Sequence, residues 1–92
     1  MRKIIEYHQL TDHDEFCCTL KKLNVHQILM DLNSFGSPVF ISSHSHKTRF
    51  DTIVVDISKM TKGKIIKMFV FMCKFKPTDV EDLGDMISFY WH

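Results

Sequence analysis

This 92-residue chain has only three glycines and two prolines. That scarcity excludes a collagen-like or low-complexity polymer and argues against disorder. Its cysteines are Cys17, Cys18 and Cys73, an odd number with two of them adjacent. Adjacent cysteines rarely bridge each other, so reduced thiols in an intracellular compartment are expected, not a disulfide framework. The longest apolar run, Met68 to Cys73, is far too short to span a membrane. Charged residues interrupt the first apolar residues at Arg2, Lys3 and Glu6, so no secretory leader is expected. The expectation is a cytoplasmic protein, in the host cytoplasm if its source is viral, with no membrane partner. The sequence has no Gly-rich phosphate loop, no nucleophile elbow and no Cys-x-x-Cys pair, so no cofactor is expected. A single domain over residues 1–92 leaves little room for a deep cleft beside a core. Binding is therefore expected ahead of catalysis.

What is abundant is sorted charge. Residues 47–76 hold Lys47, Arg49, Lys59, Lys62, Lys64, Lys67, Lys74 and Lys76 against Asp51 and Asp56, a net +6. Residues 1–46 are nearly neutral at −1, and residues 77–92 carry −4 with no Lys or Arg. The whole chain is at +1, so the total conceals a basic and an acidic segment, which bears directly on the choice of partner.

Residues 2–8 read as a first strand, with Ile5 and Tyr7 on one face. Asp12 and Glu15 predict a helix start at Asp12-His13-Asp14-Glu15. Phe16, Leu20 and Leu23 then share one helical face, whereas Val25, Ile28, Leu29 and Leu32 share a nearly opposite one. Two short helices, about 13–22 and 25–33, resolve this conflict, with Asn24 capping the second and Gln27 completing a capping box. Ser34 to Pro38 ends the helix. Val39-Phe40-Ile41 and Phe50 to Ile57 read as strands, with Ser42 to Thr48 an exposed polar turn.

Lys59 to Gly63 predicts a further turn with Gly63 at positive φ. Lys64 to Phe75 reads as the longest strand, apolar on both faces, so residues 47–76 form a basic, aromatic hairpin. A capping box of Thr78 and Glu81 predicts a last helix whose stripe is Val80, Leu83, Ile87 and Tyr90. The aromatic run ending in Trp91 is expected to dock. The predicted fold is α+β: a roughly four-stranded, mainly antiparallel sheet with two to three helices packed on one face, in the order β-α(α)-β-β-β-α.

Three constellations bear on function. His44-Ser45-His46 places two imidazoles on one side of an extended segment, a weak metal site. His13 with Cys17 has the composition of a thiol–imidazole pair, but helix capping accounts for the local pattern as well. Lys67-Met68-Phe69-Val70-Phe71 resembles the central strand of RNA-recognition sheets, in which a lysine and alternating aromatics stack bases. Met68 stands where that pattern has glycine. The resemblance covers five residues and assigns no family. It implies base stacking by Phe69 and Phe71, with Lys62, Lys64, Lys74 and Lys76 placed to contact phosphates.

The same residues suit a protein partner. A two-sided apolar segment, six methionines and opposed charge blocks fit a homodimer or a docking surface for an acidic protein. The expected function is a small non-enzymatic interaction module, by analogy with phage- and virus-encoded inhibitors that occlude a host protein surface. Nucleic-acid binding and metal binding are the alternatives. The expected partner-binding residues are Lys62, Lys64, Lys67, Phe69, Phe71, Lys74 and Trp91, the aromatic ones contributing to a core or to an interface.

Overall fold

The computed structural model describes residues 4–43 and 49–91. Ile4–Glu6 forms β1, followed by a single 3-10 turn over Tyr7–Gln9. Glu15–Phe16 is β2, Cys18–Lys21 is α1 and Val25–Asn33 is α2. Val39–Ser42 is β3, Arg49–Phe50 is β4 and Thr52–Asp56 is β5. Lys62–Cys73 is α3, and Asp79–Asp82 and Met86–Tyr90 are β6 and β7. The main sheet has five strands in the order β1-β3-β5-β7-β6, with every neighbouring pair antiparallel. A small parallel pair joins β2 to β4.

The α+β class stands, with a five-stranded sheet where four strands were expected. Successive side chains of the central strands point to opposite faces of the sheet, and most on both faces are buried. Ile41, Ile53 and Phe89 lie in one cross-strand row, and Val39, Val55 and Ile87 in another. These rows join one core with Leu20 of α1, Val25, Ile28, Leu29 and Leu32 of α2, and Met68 and Met72 of α3. All three helices therefore cover the same face of the sheet. On the opposite face a second row runs Ser42, Thr52 and Tyr90, and the buried Ser42 hydroxyl has no hydrogen-bond partner among the described residues.

The break at Asn24 is real. Its Oδ1 accepts from the Gln27 backbone N–H over 3.4 Å, starting α2 at Val25. The capping box is not formed, because the Gln27 amide instead donates to Asp31 Oδ1, 2.9 Å away. The predicted helix start at Asp12 is corrected to a turn. Thr11 N–H donates to Asp14 Oδ2 over 2.8 Å, and His13 N–H to Thr11 Oγ1 over 3.2 Å. Glu15 and Phe16 then pair with Arg49 and Phe50, which confines α1 to four residues.

Two larger corrections follow. Residues 64–75 are not a strand; most of them lie in α3. Thr61 Oγ1 accepts from Lys64 N–H over 3.3 Å and caps the helix, so Gly63 lies within its first turn and not at a positive-φ turn position. The basic segment 47–76 is consequently not a hairpin. The segment expected as the last helix is instead the β6–β7 hairpin. Gly84, at φ +89°, makes its turn, and Asp82 Oδ1 accepts from Gly84 N–H over 2.8 Å. Leu83 N–H donates to Met86 O over 2.8 Å to close it. Glu81, expected in a capping box, stands opposite Ser88 in the sheet. The observed order of main-sheet strands and helices is β-α-α-β-β-α-β-β. The aromatic run docks by strand pairing, with Trp91 wholly buried.

Candidate functional site

The sequence of α3, Lys62-Gly-Lys-Ile-Ile-Lys-Met-Phe-Val-Phe-Met-Cys73, is apolar around most of the helix. Such a helix is expected to be covered on more than one side. At 100° per residue, Met68 and Met72 point to the sheet, and both are fully buried. Ile65 and Phe69 flank them and are half-buried. Phe69 meets Phe89 of β7 edge-on, with ring centroids 5.5 Å apart. Phe71 packs on the other flank, 6.3 Å from Phe35 and 5.3 Å from Phe75.

The opposite side of the helix carries Ile66 and Val70, which are 63% and 62% exposed. They stand four residues apart and so form one short apolar stripe. Lys67 and Lys74 border it on one side and Lys62 on the other, and all three are exposed. Lys64 is exposed nearer the Phe71 flank. Lys74 Nζ lies 5.7 Å from the centre of the Phe71 ring, within reach of a weak cation–π attraction. Glu15 pairs with Arg49, and Glu6 Oε2 lies 3.2 Å from His8 Nε2; the α3 lysines take part in neither contact.

The structure thus brings Lys62, Lys64, Lys67 and Lys74 together on one helix. It separates them from Trp91, which is enclosed and donates its indole N–H to Phe75 O over 2.9 Å. Phe69 and Phe71 turn partly inward, so they do not share an open face with Lys67 as a strand would arrange them. The strand on which base stacking was expected is therefore absent, and the lysines lie on several sides of one helix. Ile66 and Val70 are the residues that sequence reasoning missed. On a strand they share a face with Met68, whereas on a helix Met68 enters the core and they do not.

Other candidate chemistry is dispersed. His44 and His46, like Lys47, lie outside the described residues. Among the described residues, no group of three His, Cys, Asp or Glu side chains converges as metal ligands would. Cys17 is buried with its Sγ 3.8 Å from Trp91 O, which encloses the proposed nucleophile in the core. An open groove of about 380 Å³ is lined by Asp14, Glu15, Phe16, Cys18, Lys21 and Arg49. Arg49 Nε is 3.5 Å from Glu15 Oε2, so two of its charges offset each other. Among the described residues, no helix is long and apolar enough to cross a membrane.

A second exposed surface lies beside α3. β6 is an edge strand, and all four of its residues are exposed. Val80 and, just beyond the strand, Leu83 are 46% and 50% exposed. Their sequence neighbours Asp79, Glu81, Asp82 and Asp85 are also exposed, with Asp82 on the Val80 side of the sheet and Asp79 and Glu81 on the other. Acidic side chains on an edge discourage pairing with an identical edge.

Comparison of the chain with protein-family models, with curated proteins and with solved structures finds no match.

Proposed function

We propose that this protein is a small, non-catalytic interaction module whose binding surface is the outer side of α3. The observation that carries this reading is the Ile66–Val70 stripe, exposed in water and bordered by lysines. An apolar centre with a charged rim is the usual anatomy of a protein interface. The lysines select an acidic partner and speed encounter, while the two aliphatic side chains contribute the contact that excludes water. Such a patch suits docking onto an acidic protein surface.

Site-specific photo-crosslinking tests the reading. A photoreactive phenylalanine analogue at Val70 is expected to give a discrete protein adduct in cells, with none from the same analogue at Thr19. The adduct should be lost in the Ile66→Ser background. Equal labelling from both positions would defeat the proposal. Oligonucleotide binding that weakens steeply with salt and ignores Ile66→Ser would favour phosphate recognition by the lysines instead.

A further inference from the structure

We infer that the acidic surface fitting α3 is carried by a second copy of this chain, as β6 and the turn after it. The inference rests on the α3 reading above and names the partner of that surface.

The two patches are built alike with opposite sign. The α3 patch has two exposed aliphatic residues, Ile66 and Val70, among Lys62, Lys64, Lys67 and Lys74. The β6 edge has two, Val80 and, just past the strand, Leu83, with acids on both of its sides: Asp82 shares the face of Val80, Asp79 and Glu81 lie on the other, and Asp85 stands at the turn. The remaining large exposed hydrophobics among the described residues are Ile4 and Met30, so most of this exposed apolar surface falls in these two places. None of the eight charged side chains forms an ion pair with another described residue. Within one chain the two sets of charge therefore leave each other unneutralised.

Their placement allows closure. Phe69 of α3 touches Phe89 of β7, and Phe89 is the cross-strand partner of Val80. Alternation along β6 puts Val80 and Asp82 on the side of the sheet that α3 covers. The basic helix and the acidic edge are thus neighbours along one border of the molecule. A two-fold axis through that border sets α3 of each copy against β6 of the other, so both contacts form at once and the assembly closes. The competing symmetric contacts are repulsive. Helix on helix opposes lysine to lysine, and edge on edge opposes Asp and Glu to their own kind.

Charge reversal in the full chain, followed by sedimentation velocity, tests the pairing. Wild type is expected to show a concentration-dependent dimer that weakens as salt rises. Lys62→Glu with Lys67→Glu, and separately Glu81→Lys with Asp85→Lys, should each raise the dimer dissociation constant at least about tenfold. Asp82 is left intact because it braces the turn. Mixing the two variants restores opposite charges at both contacts, so they should form a heterodimer at concentrations where each alone is monomeric. This rescue also shows that both variants are folded. A wild type that stays monomeric up to its solubility limit, or a mixture without rescue, would overturn the inference. The α3 reading would then stand or fall on the Val70 crosslink, which registers any protein partner.

Discussion

The indole N–H of Trp91 donates to the carbonyl of Phe75 across 2.9 Å, tying the residue after β7 to the chain leaving α3. Trp91 also donates its backbone N–H to Asp51 O over 2.9 Å, and its own carbonyl lies 3.8 Å from Cys17 Sγ. One buried residue therefore joins the exits of α3 and β7 to the starts of β5 and α1. Trp91→Phe removes the indole bond and leaves the Phe75 carbonyl without that donor, at an expected loss of about 2 kcal/mol. Trp91→Ala should lose about 3–5 kcal/mol. Urea denaturation measures both, and a Trp91→Phe protein as stable as wild type would show that the bond contributes nothing net.

Two glycines separate the observed fold from the one the local pattern suggests. Gly63 lies in the first turn of α3 with open space where a Cβ would go, so Gly63→Ala should stabilise by about 0.5–1 kcal/mol. Gly84 is held at φ +89°, so Gly84→Ala should destabilise by about 1–2 kcal/mol. Thermal melts of the two variants should shift in opposite directions. The reverse pattern would favour a helix through residue 84 and a turn at residue 63.

The two sides of α3 should respond differently to truncation. Met68→Ala and Met72→Ala each empty a buried site and should lose about 2–5 kcal/mol. Ile66→Ser and Val70→Ser touch exposed side chains and should change monomer stability by about 0.5 kcal/mol or less. Denaturant midpoints at a fixed low protein concentration check this. A large loss from Val70→Ser under those conditions would place it in the core of the monomer.

Asp56 responds to acid in a defined direction. The Ser58 hydroxyl donates to Asp56 Oδ1 over 2.7 Å and the Ser58 backbone N–H over 2.9 Å. These bonds, the hydroxyl first, hold the Asp56 carboxyl below its ordinary value, with Lys59 adding attraction. A depressed folded pKa means that the stabilisation is present above the unfolded pKa and is lost as pH falls through the folded one. Carboxyl NMR titration should show Asp56 rising toward its ordinary value in Ser58→Ala. The stability gap between that variant and wild type should be widest near neutrality and close in acid. A gap independent of pH would sever the link to Asp56.

The parts of the fold legible in the sequence are short apolar runs of strand length and one helix with a one-sided stripe. Val39 to Ile41 and Ile53 to Val55 are brief runs rich in β-branched residues, and Asn24 marks a helix start with Val25, Ile28, Leu29 and Leu32 on one side. Residues 64–75 lacked such a pattern, because their apolar groups satisfy both a two-sided strand and a buried helix. Their length was the unused signal: twelve residues make an ordinary helix and an unusually long strand. Gly84 falls inside the segment whose stripe predicts a last helix, yet at φ +89° it makes the turn of a hairpin. The lysines of the candidate surface were visible in the sequence, but Ile66 and Val70 emerged only once the period of their segment was known.

By itself, then, the sequence determined the α+β class, the central strands and α2, and the separation of a basic from an acidic segment. Tertiary structure decided which later segment would be helix and which sheet. Local periodicity cannot rank two conformations that bury many of the same side chains. The packing of the whole chain can. With 86–90 as a strand, Ile87 and Phe89 extend the inner sheet face, and α3 covers it with Met68 and Met72. The same choice leaves the acids of β6 in water at the sheet edge and the lysines of α3 on the outer side of the helix, where neither set of charges has to be buried.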